Sequence, residues 1–560
     1  MNKFNLFTGM MLISMVSTAQ VNYYVSPTGN NANDGSMANP WATLQFSLEQ
    51  LSSGDTLNAF GGTYIEKIAI PFSGITFRNV AGETPIVDAG IMIPQDAAIE
   101  IYNVSDITID GIMVQNNVRN DAQGILVEGN CQNITIQNCI VHDIHFSANP
   151  DDNATPSKNA QAIIVYGSHP ELPITNLKIL NNEVYDCRLG YSEGIAVNGN
   201  VDGFEVGNNY VHNLTNIGID IIGHENTCAT DSLDQARNGR VYNNIVHDCI
   251  SEYATSGGLY TDGGRNIIFE NNTSYRNGYG IEIGCENPDK TTDSIIVRNN
   301  LFYDNEACAM AMGGYAYPSS GKVTNSVIRN NSCLKNDYAG VGFGELYLSY
   351  SEDCIIENNI FYTNNILAYA ELTQPGLQFN YNLIYSEAGT GGIEVDWNGA
   401  YYPGYDAFTA GTSLNTNGLF ANPEYVNTDA LTADLHISAT SAAVNAGNPA
   451  TLADAAETDM DGEVRIQESM IDCGADETVA IPQSLWNATY QMQVFPNPVN
   501  DFLWIHTEMP DATYSIVNAQ GVIMQKTTTG DLYICVSDWP AGVYLLVAND
   551  GKGSTSFVVL

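Results

Sequence analysis

Seven times between residues 176 and 364 the chain sets the dipeptide Asn-Asn between two short runs in which apolar and polar residues alternate. The units read NLKILNNEVYDC from Asn176, GFEVGNNYVHNL from Gly203, NGRVYNNIVHDC from Asn238, NIIFENNTSYRN from Asn266, SIIVRNNLFYDN from Ser294, NSVIRNNSCLKN from Asn325 and DCIIENNIFYTN from Asp353. A degenerate copy, NITIQNCIVHDI, begins at Asn133. The second Asn falls at Asn182, Asn209, Asn244, Asn272, Asn300, Asn331 and Asn359, in steps of 27, 35, 28, 28, 31 and 28 residues. Recurrence at roughly 20–50 residues marks stacked units, each too small to bury its apolar face alone. Period-two alternation, as at Ile295, Val297 and Leu301, belongs to half-buried strands and excludes helical repeats. Asn tolerates left-handed backbone angles and bonds its neighbours' backbone, so a pair of them suits a tight turn. Stacked coil on coil, these residues are expected to form a ladder.

A third strand precedes each unit: GILVE from Gly124, AIIVY from Ala162, GIAVN from Gly194, GIDII from Gly218, GLYTD from Gly258, GIEIG from Gly280, AMAMG from Ala309 and GVGFG from Gly340. Three strands per coil predict an all-β chain built as a right-handed parallel β-helix. In this pattern the chain resembles the pectin-lyase-like superfamily over about Tyr23 to Glu477. The short signatures of its hydrolases, an Asn-Thr-Asp strand followed by Asp-Asp and Gly-His-Gly, are absent, so no family's catalytic residues carry over.

The opening MNKFNLFTGMMLISMVSTAQ, with Lys3, an apolar stretch and small Ser17 and Ala19, reads as a signal peptide over 1–19 cut before Gln20. No later apolar run approaches the roughly 18 residues that span a membrane. The expected domains are the β-helix with its N-terminal cap over 20–477, a linker over 478–489 and a small β-sandwich over 490–560. The cap includes an amphipathic helix over Trp41 to Leu51 covering the first coil. The last domain, with VFPNPVNDFLWI, WPAGVYLLV and a final FVVL, resembles the C-terminal sorting domain of the Bacteroidota type IX secretion system. That resemblance implies the secretion machinery as a partner and release to the medium or the outer cell surface.

A formal charge of −44, from 63 Asp plus Glu against 19 Lys plus Arg, excludes nucleic acid as a partner and disfavours polyanions. A monomer acting on an extracellular polysaccharide, neutral or bridged by calcium, fits this balance. Eleven cysteines are too few for a disulfide scaffold and odd in number; Cys228 and Cys285, in loops after nearby strands, are candidates to pair, whereas Cys187 and Cys249, two coils apart, are too far. In DMDGEVRIQ, Asp459, Asp461 and Glu463 have the makings of a calcium loop, but the spacing is an incomplete EF-hand and reads better as a structural turn.

The third strands carry the chemistry. Their second and fourth residues, such as Ile219 and Ile221, point inward and the alternates outward. At one outward position successive coils carry Leu126, Ile164, Ala196, Asp220, Tyr260, Glu282, Ala311 and Gly342; at the next stand Glu128, Tyr166, Asn198, Ile222, Asp262, Gly284, Gly313 and Gly344. Asp220, Asp262 and Glu282 thus cluster in three consecutive coils, with Asp262 about 8 Å diagonally from the other two at the backbone. A glycosidase needs one protonated carboxyl and one carboxylate, about 6.5–9.5 Å apart for inversion and about 5–5.5 Å for retention. The long loop GHENTCATDSLDQARNG after Ile222 adds His224, Glu225 and Arg237, the loop CENPDKTTD adds Glu286, and Tyr260 is placed to stack on a sugar. The small residues at 284, 313 and 344 are expected to open a groove. His212 and His247, at equivalent repeat positions, read as structural.

The reading that follows is an exported glycoside hydrolase using Asp220, Asp262 and Glu282, with no cofactor. A calcium-dependent lyase on a uronate glycan would use the same carboxylates for the metal and Arg237, Arg265 or Lys290 as base. A glycan-binding surface protein without catalysis is the third reading.

Overall fold

The computed structural model describes residues 21–479 and 492–560, apart from positions 92, 455–456, 468–469, 508–512, 520, 529–531 and 549–553. The expected signal peptide and residues 480–489 of the expected linker lie outside the described residues. Short strands follow one another round each coil and pair in parallel with their counterparts one coil on. One sheet of 15 strands runs from Asn22–Val25 to Gln378–Asn380, and the other two faces merge into a sheet of 26. They merge because Glu183–Gly199 and Tyr210–Ile222 run unbroken round the corner between them. The architecture is a parallel β-helix. Ile219, Ile221, Leu259, Ile281 and Ile283 fill its interior, wholly buried.

The two Asn residues of each pair do different work. The first takes the left-handed turn conformation, with φ of 56° at Asn181, 55° at Asn208, 53° at Asn243 and 58° at Asn299. The second turns inward and builds the expected ladder. From Asn182 through Asn209, Asn244, Asn272, Asn300, Asn331, Asn359 and Asn382, each backbone N–H donates to the Oδ1 of the next ladder Asn at 2.9–3.0 Å. Up to Asn359 the Nδ2 group donates to that same oxygen. The last rung is Asn415. The first Asn of the later pairs has a second task, because a returning segment lies against that corner: Asn299 donates to the Thr458 carbonyl and Asn330 to the Asp472 carbonyl, both at 2.8 Å. Arg298 and Arg329 clamp the same segment through Glu457.

A shorter ladder, Asn277, Asn305 and Asn336, ends on a carboxylate. Asn336 donates its N–H and Nδ2 to the two oxygens of Glu345, at 3.1 and 2.7 Å. Burial pushes the Glu345 carboxyl up to about 8 against those two donors, and burial likewise pushes Glu193 and Glu477 up to about 8. Such groups bind a proton in the folded chain where the unfolded chain has lost it. Their contribution to stability is therefore full below the ordinary carboxylate range and lost as pH rises towards about 8. We expect the melting temperature to fall from pH 5 to pH 8, each group contributing at most about 1.4 kcal/mol per pH unit. Glu345→Gln should flatten that fall in calorimetric scans, whatever it does to the maximum; an unaltered slope would show that Glu345 is not one of the responsible groups.

Several expectations need correction. The segment GVGFG is no strand: the strand of that coil is Leu346–Leu348, and Ala311 pairs with Tyr347 rather than Gly342. Residues 337–344 form a loop wound round one carboxylate, with Asp337 accepting from the N–H groups of Val341, Gly342 and Gly344 at 2.6, 3.0 and 3.1 Å. Left-handed φ values of 71°, 104° and 72° at Gly340, Gly342 and Gly344 explain the glycines. Cys228 and Cys285 do not bond; all eleven thiols are free, and that of Cys228 donates to the His169 carbonyl. The N-terminal helix is shorter than expected, Leu44–Glu49. Asp459 organises a turn, accepting from the N–H groups of Asp461, Glu463 and Glu477. His212 and His247 sit in an external stack with His142, Tyr185, Tyr275 and Tyr303.

The C-terminal unit is two antiparallel sheets. One has three strands, Met492–Phe495, Phe502–Thr507 and Leu532–Cys535; the other has four, Thr513–Asn518, Ile523–Thr528, Gly542–Ala548 and Ser554–Val559. Leu503, Ile505 and Ile534 of the first pack with Ile516, Leu546 and Phe557 of the second.

Candidate active site

The outward row of the third strands has the expected register: Ala196 pairs with Asp220, Asp220 with Tyr260, Tyr260 with Glu282 and Glu282 with Ala311. Asp262 pairs with Gly284 one step along. With coils about 4.8 Å apart and alternate residues about 6.7 Å apart, Asp262 lies about 8 Å from Asp220 and from Glu282 at the backbone. Asp220 and Asp262 are nearly enclosed, 2% and 5% exposed, while Glu282 is half-buried and Glu286 exposed at the mouth.

Burial and mutual repulsion raise all three carboxyl groups well above the ordinary range. For Asp220 the cause after burial is the charge of Glu193, then Asp262, Glu286 and Glu282; for Asp262 it is Glu286; for Glu282 it is Glu286, then Asp262. The charged neighbours that raise Asp220 are thus themselves carboxylates, so each disfavours the charge of the next. Hydrogen bonding separates the two enclosed members. The Glu286 N–H donates to Asp262 Oδ1 at 2.8 Å, favouring its ionised form. Asp220 Oδ1 is buried with no partner, so the proton is best kept there.

The surrounding residues divide. Tyr260 does not present a free ring: it is 4% exposed and leans over Gly284, so the space expected to be open is filled, and its hydroxyl donates to Glu286 at 3.2 Å. Glu225 is tied to Asn287. His224, in a left-handed conformation with φ of 70°, packs over Gly263 beside Asp262. Burial and the charge of Lys290 lower its pKa; its Nε2 meets the Gln235 amide at 3.2 Å and its Nδ1 has no partner. Arg237 is not brought to the carboxylates. Its guanidinium is engaged by Asp202, Asn200 and the Gln235 carbonyl. Lys290 pairs with Asp231, and Arg265 is exposed on the 15-stranded sheet.

Glu193 is the residue the third-strand alignment missed. It stands one position before that strand, where the pairing shifts register after Arg188, and opposite Ile217. Counting from Gly194 excludes it; the outward Asp220 one coil on is the signal that pointed towards it.

Calcium takes about six to eight oxygen ligands at 2.3–2.6 Å, which requires carboxylate oxygens gathered round one point. Among the described residues the one group of three with ligand atoms within 4.8 Å of one another is His436, Asp461 and Asp476, far along the chain. Asp220, Asp262 and Glu282 form no such group among the described residues.

A family model described as a right handed beta helix region matches residues 233–403, and a secretion system C-terminal sorting domain matches residues 493–559. Over 426 residues the chain is 32% identical to the uncharacterized protein YwoF of Bacillus subtilis (strain 168), which covers 72% of this chain and 88% of that protein. The chain belongs to the YwoF family. With the sorting domain, this member of the YwoF family is an exported protein of the cell surface or the medium. Among the described residues no helix is long and apolar enough to cross a membrane. Similar solved structures include XylC with xylose at 10% identity and a TM-score of 0.43, covering 92% of this chain and 100% of that one. Pectate lyase Pel9A has 15% identity and a TM-score of 0.44, covering 82% and 97%. The GH136 lacto-N-biosidase from Eubacterium ramulus has 14% and 0.42, covering 67% and 68%. Similarity at this level carries no information on activity.

Proposed function

We propose that the protein is an exported glycoside hydrolase of an extracellular polysaccharide, with Asp220 as general acid and Asp262 as general base. The observation that carries this reading is the unequal bonding of two enclosed carboxyl groups in one outward face: Asp220 Oδ1 unpartnered, Asp262 Oδ1 held by the Glu286 N–H. Asp220 gives its proton to the glycosidic oxygen as the C–O bond breaks. Asp262 takes a proton from water as the water oxygen bonds to the anomeric carbon. The two groups end with protonation reversed and re-equilibrate through solvent. Their backbone separation of about 8 Å favours inversion. Glu282 and Glu193 raise the acid's pKa and line the entrance with acceptors for sugar hydroxyls.

The lyase reading is weaker on two counts: the carboxylates do not gather round one point, and Arg237 and Lys290 are both engaged elsewhere. The deciding experiment incubates the secreted protein with neutral and uronate polysaccharides and analyses products. New reducing ends from a neutral glycan, undiminished by a chelator, are expected. Unsaturated products absorbing in the ultraviolet and abolished by chelation would establish the lyase, and binding without turnover on every glycan would establish a non-catalytic adhesin.

A further inference from the structure

A second group of side chains converges where three late segments meet: the strand Asp434–Ile437, the turn round Asp459 and the stretch 472–478. Leu435 and Ile437 of the strand enter a core with Leu334, Ile360 and Tyr425, so Asp434 and His436 share its other face. Asp434 seats His436 twice, its Oδ1 accepting from the backbone N–H at 3.2 Å and meeting the ring Nδ1. The Nε2 is thereby turned to Asp461 Oδ2, 2.9 Å away. Asp461 is fixed in its turn by its own N–H, which donates to Asp459 Oδ1 at 3.0 Å. Asp476 completes the group. It is 5% exposed, gives one oxygen to the Ile437 N–H at 2.8 Å and keeps the other without a donor among the described residues. One ligand atom from each of His436, Asp461 and Asp476 lies within 4.8 Å of the other two.

We propose that His436, Asp461 and Asp476 bind a divalent ion of the zinc type, which staples the closing segment to the strand beside it. A carboxylate on Nδ1 orients an imidazole for ligation through Nε2, and Asp434 stands in that place. Nε2 and Asp461 are joined either by a proton or by a metal in its position; the metal also takes up the buried Asp476, which the proton does not. The donor set decides the class. One imidazole and two carboxylates suit zinc, with water in the fourth position, whereas calcium needs about six to eight oxygens. Zinc bonds of about 2.0–2.2 Å put neighbouring ligands roughly 3–3.5 Å apart. The group has one pair at 2.9 Å and none beyond 4.8 Å, so it closes on an ion with contractions of at most about 1.5 Å. Asp461 is exposed and leaves a way in from solvent. The segment so held is the one that bonds Asn299 and Asn330 and is clamped by Arg298 and Arg329. The ion therefore fastens a strap laid across those coils, independently of any hydrolysis at Asp220 and Asp262.

The test uses the full secreted chain, stripped with a chelator, and zinc ions alone. Titration calorimetry should show one site, abolished in His436→Gln and in Asp476→Asn, and weakened about 10–100-fold in Asp434→Asn. Asn at 476 still accepts from the Ile437 N–H, so that variant keeps its fold while losing the ligand charge. Cobalt ions should give visible absorption bands with the stripped chain and none with His436→Gln. At a zinc concentration about 100 times Kd, hydrogen exchange in peptides spanning 457–478 should slow about 100-fold, because opening the segment then requires release of the ion. No binding overturns the site. Zinc binding that persists in His436→Gln places the ion elsewhere, as on the external stack of His142, His212 and His247, and also overturns it. Equal binding of calcium, insensitive to His436→Gln, would reduce the group to an acidic surface, and binding at this site without slower exchange would overturn the staple.

Discussion

Replacing Asp262 by Asn is expected to lower kcat by about 10²–10⁴-fold, the usual contribution of a positioned base, with no loss of thermal stability. Asn keeps the acceptor that receives the Glu286 N–H. It also removes one of the buried negative charges that raise Asp220 and Glu282, so the melting temperature at pH 7 should hold or rise. A merely structural aspartate would show the opposite pattern, with stability lost and turnover per folded molecule kept. Asp220→Asn is nearly isosteric with the protonated acid and should be equally stable. Its deficit should shrink on aryl glycosides, whose leaving groups depart without a proton, and Asp262→Asn should show no such rescue. Wild-type turnover in both variants would remove the proposed acid and base together.

The largest loss of stability is expected from Asn300→Ala. Asn300 Oδ1 accepts from the N–H and Nδ2 of Asn272, and its Nδ2 donates to the Phe269 and Arg298 carbonyls and to Asn331 Oδ1. Ala leaves the Asn272 N–H without its acceptor in a water-free interior and takes one bond each from the Asn272 Nδ2, the Phe269 and Arg298 carbonyls and Asn331 Oδ1. An orphaned donor costs about 1–3 kcal/mol and each further lost bond about 1 kcal/mol, so a total on the order of 4 kcal/mol is expected, measured by denaturant unfolding. The first Asn of a pair behaves differently. Asn243, exposed and left-handed with φ of 53°, should accept Gly with little change, whereas Val should cost about 1–2 kcal/mol. A small effect at Asn300 would mean that the ladder relaxes round the gap.

Much of this was legible because the Asn pair fixes the register. Once that was set, placing Asp220, Tyr260 and Glu282 on adjacent coils was a matter of counting, and the pairing agrees. What escaped lies where the coil departs from its own pattern. Glu193 sits at a corner with a register shift, and period-two reasoning has no hold on corners. Asn382 and Asn415 continue the ladder without a preceding Asn and at altered spacing. The GVGFG segment alternates like a strand, yet its alternation is glycine against larger residues, which serves a backbone wrapped round Asp337. Arg237 stands next to a loop that reaches the site, but sequence proximity cannot say that Asp202 and Asn200 already hold its side chain.

The ladder has one more consequence, for the length of the molecule. Each rung gives its N–H to the coil ahead and shares its Nδ2 between the next rung and a carbonyl of the coil behind, and every junction from Asn182 to Asn359 repeats that geometry. A whole coil bearing Asn at this corner could therefore be spliced between two rungs, or removed, with the interior bonding left unbroken. Growth by whole coils would lengthen the stack in increments of about 4.8 Å while every coil still closes on the same corner.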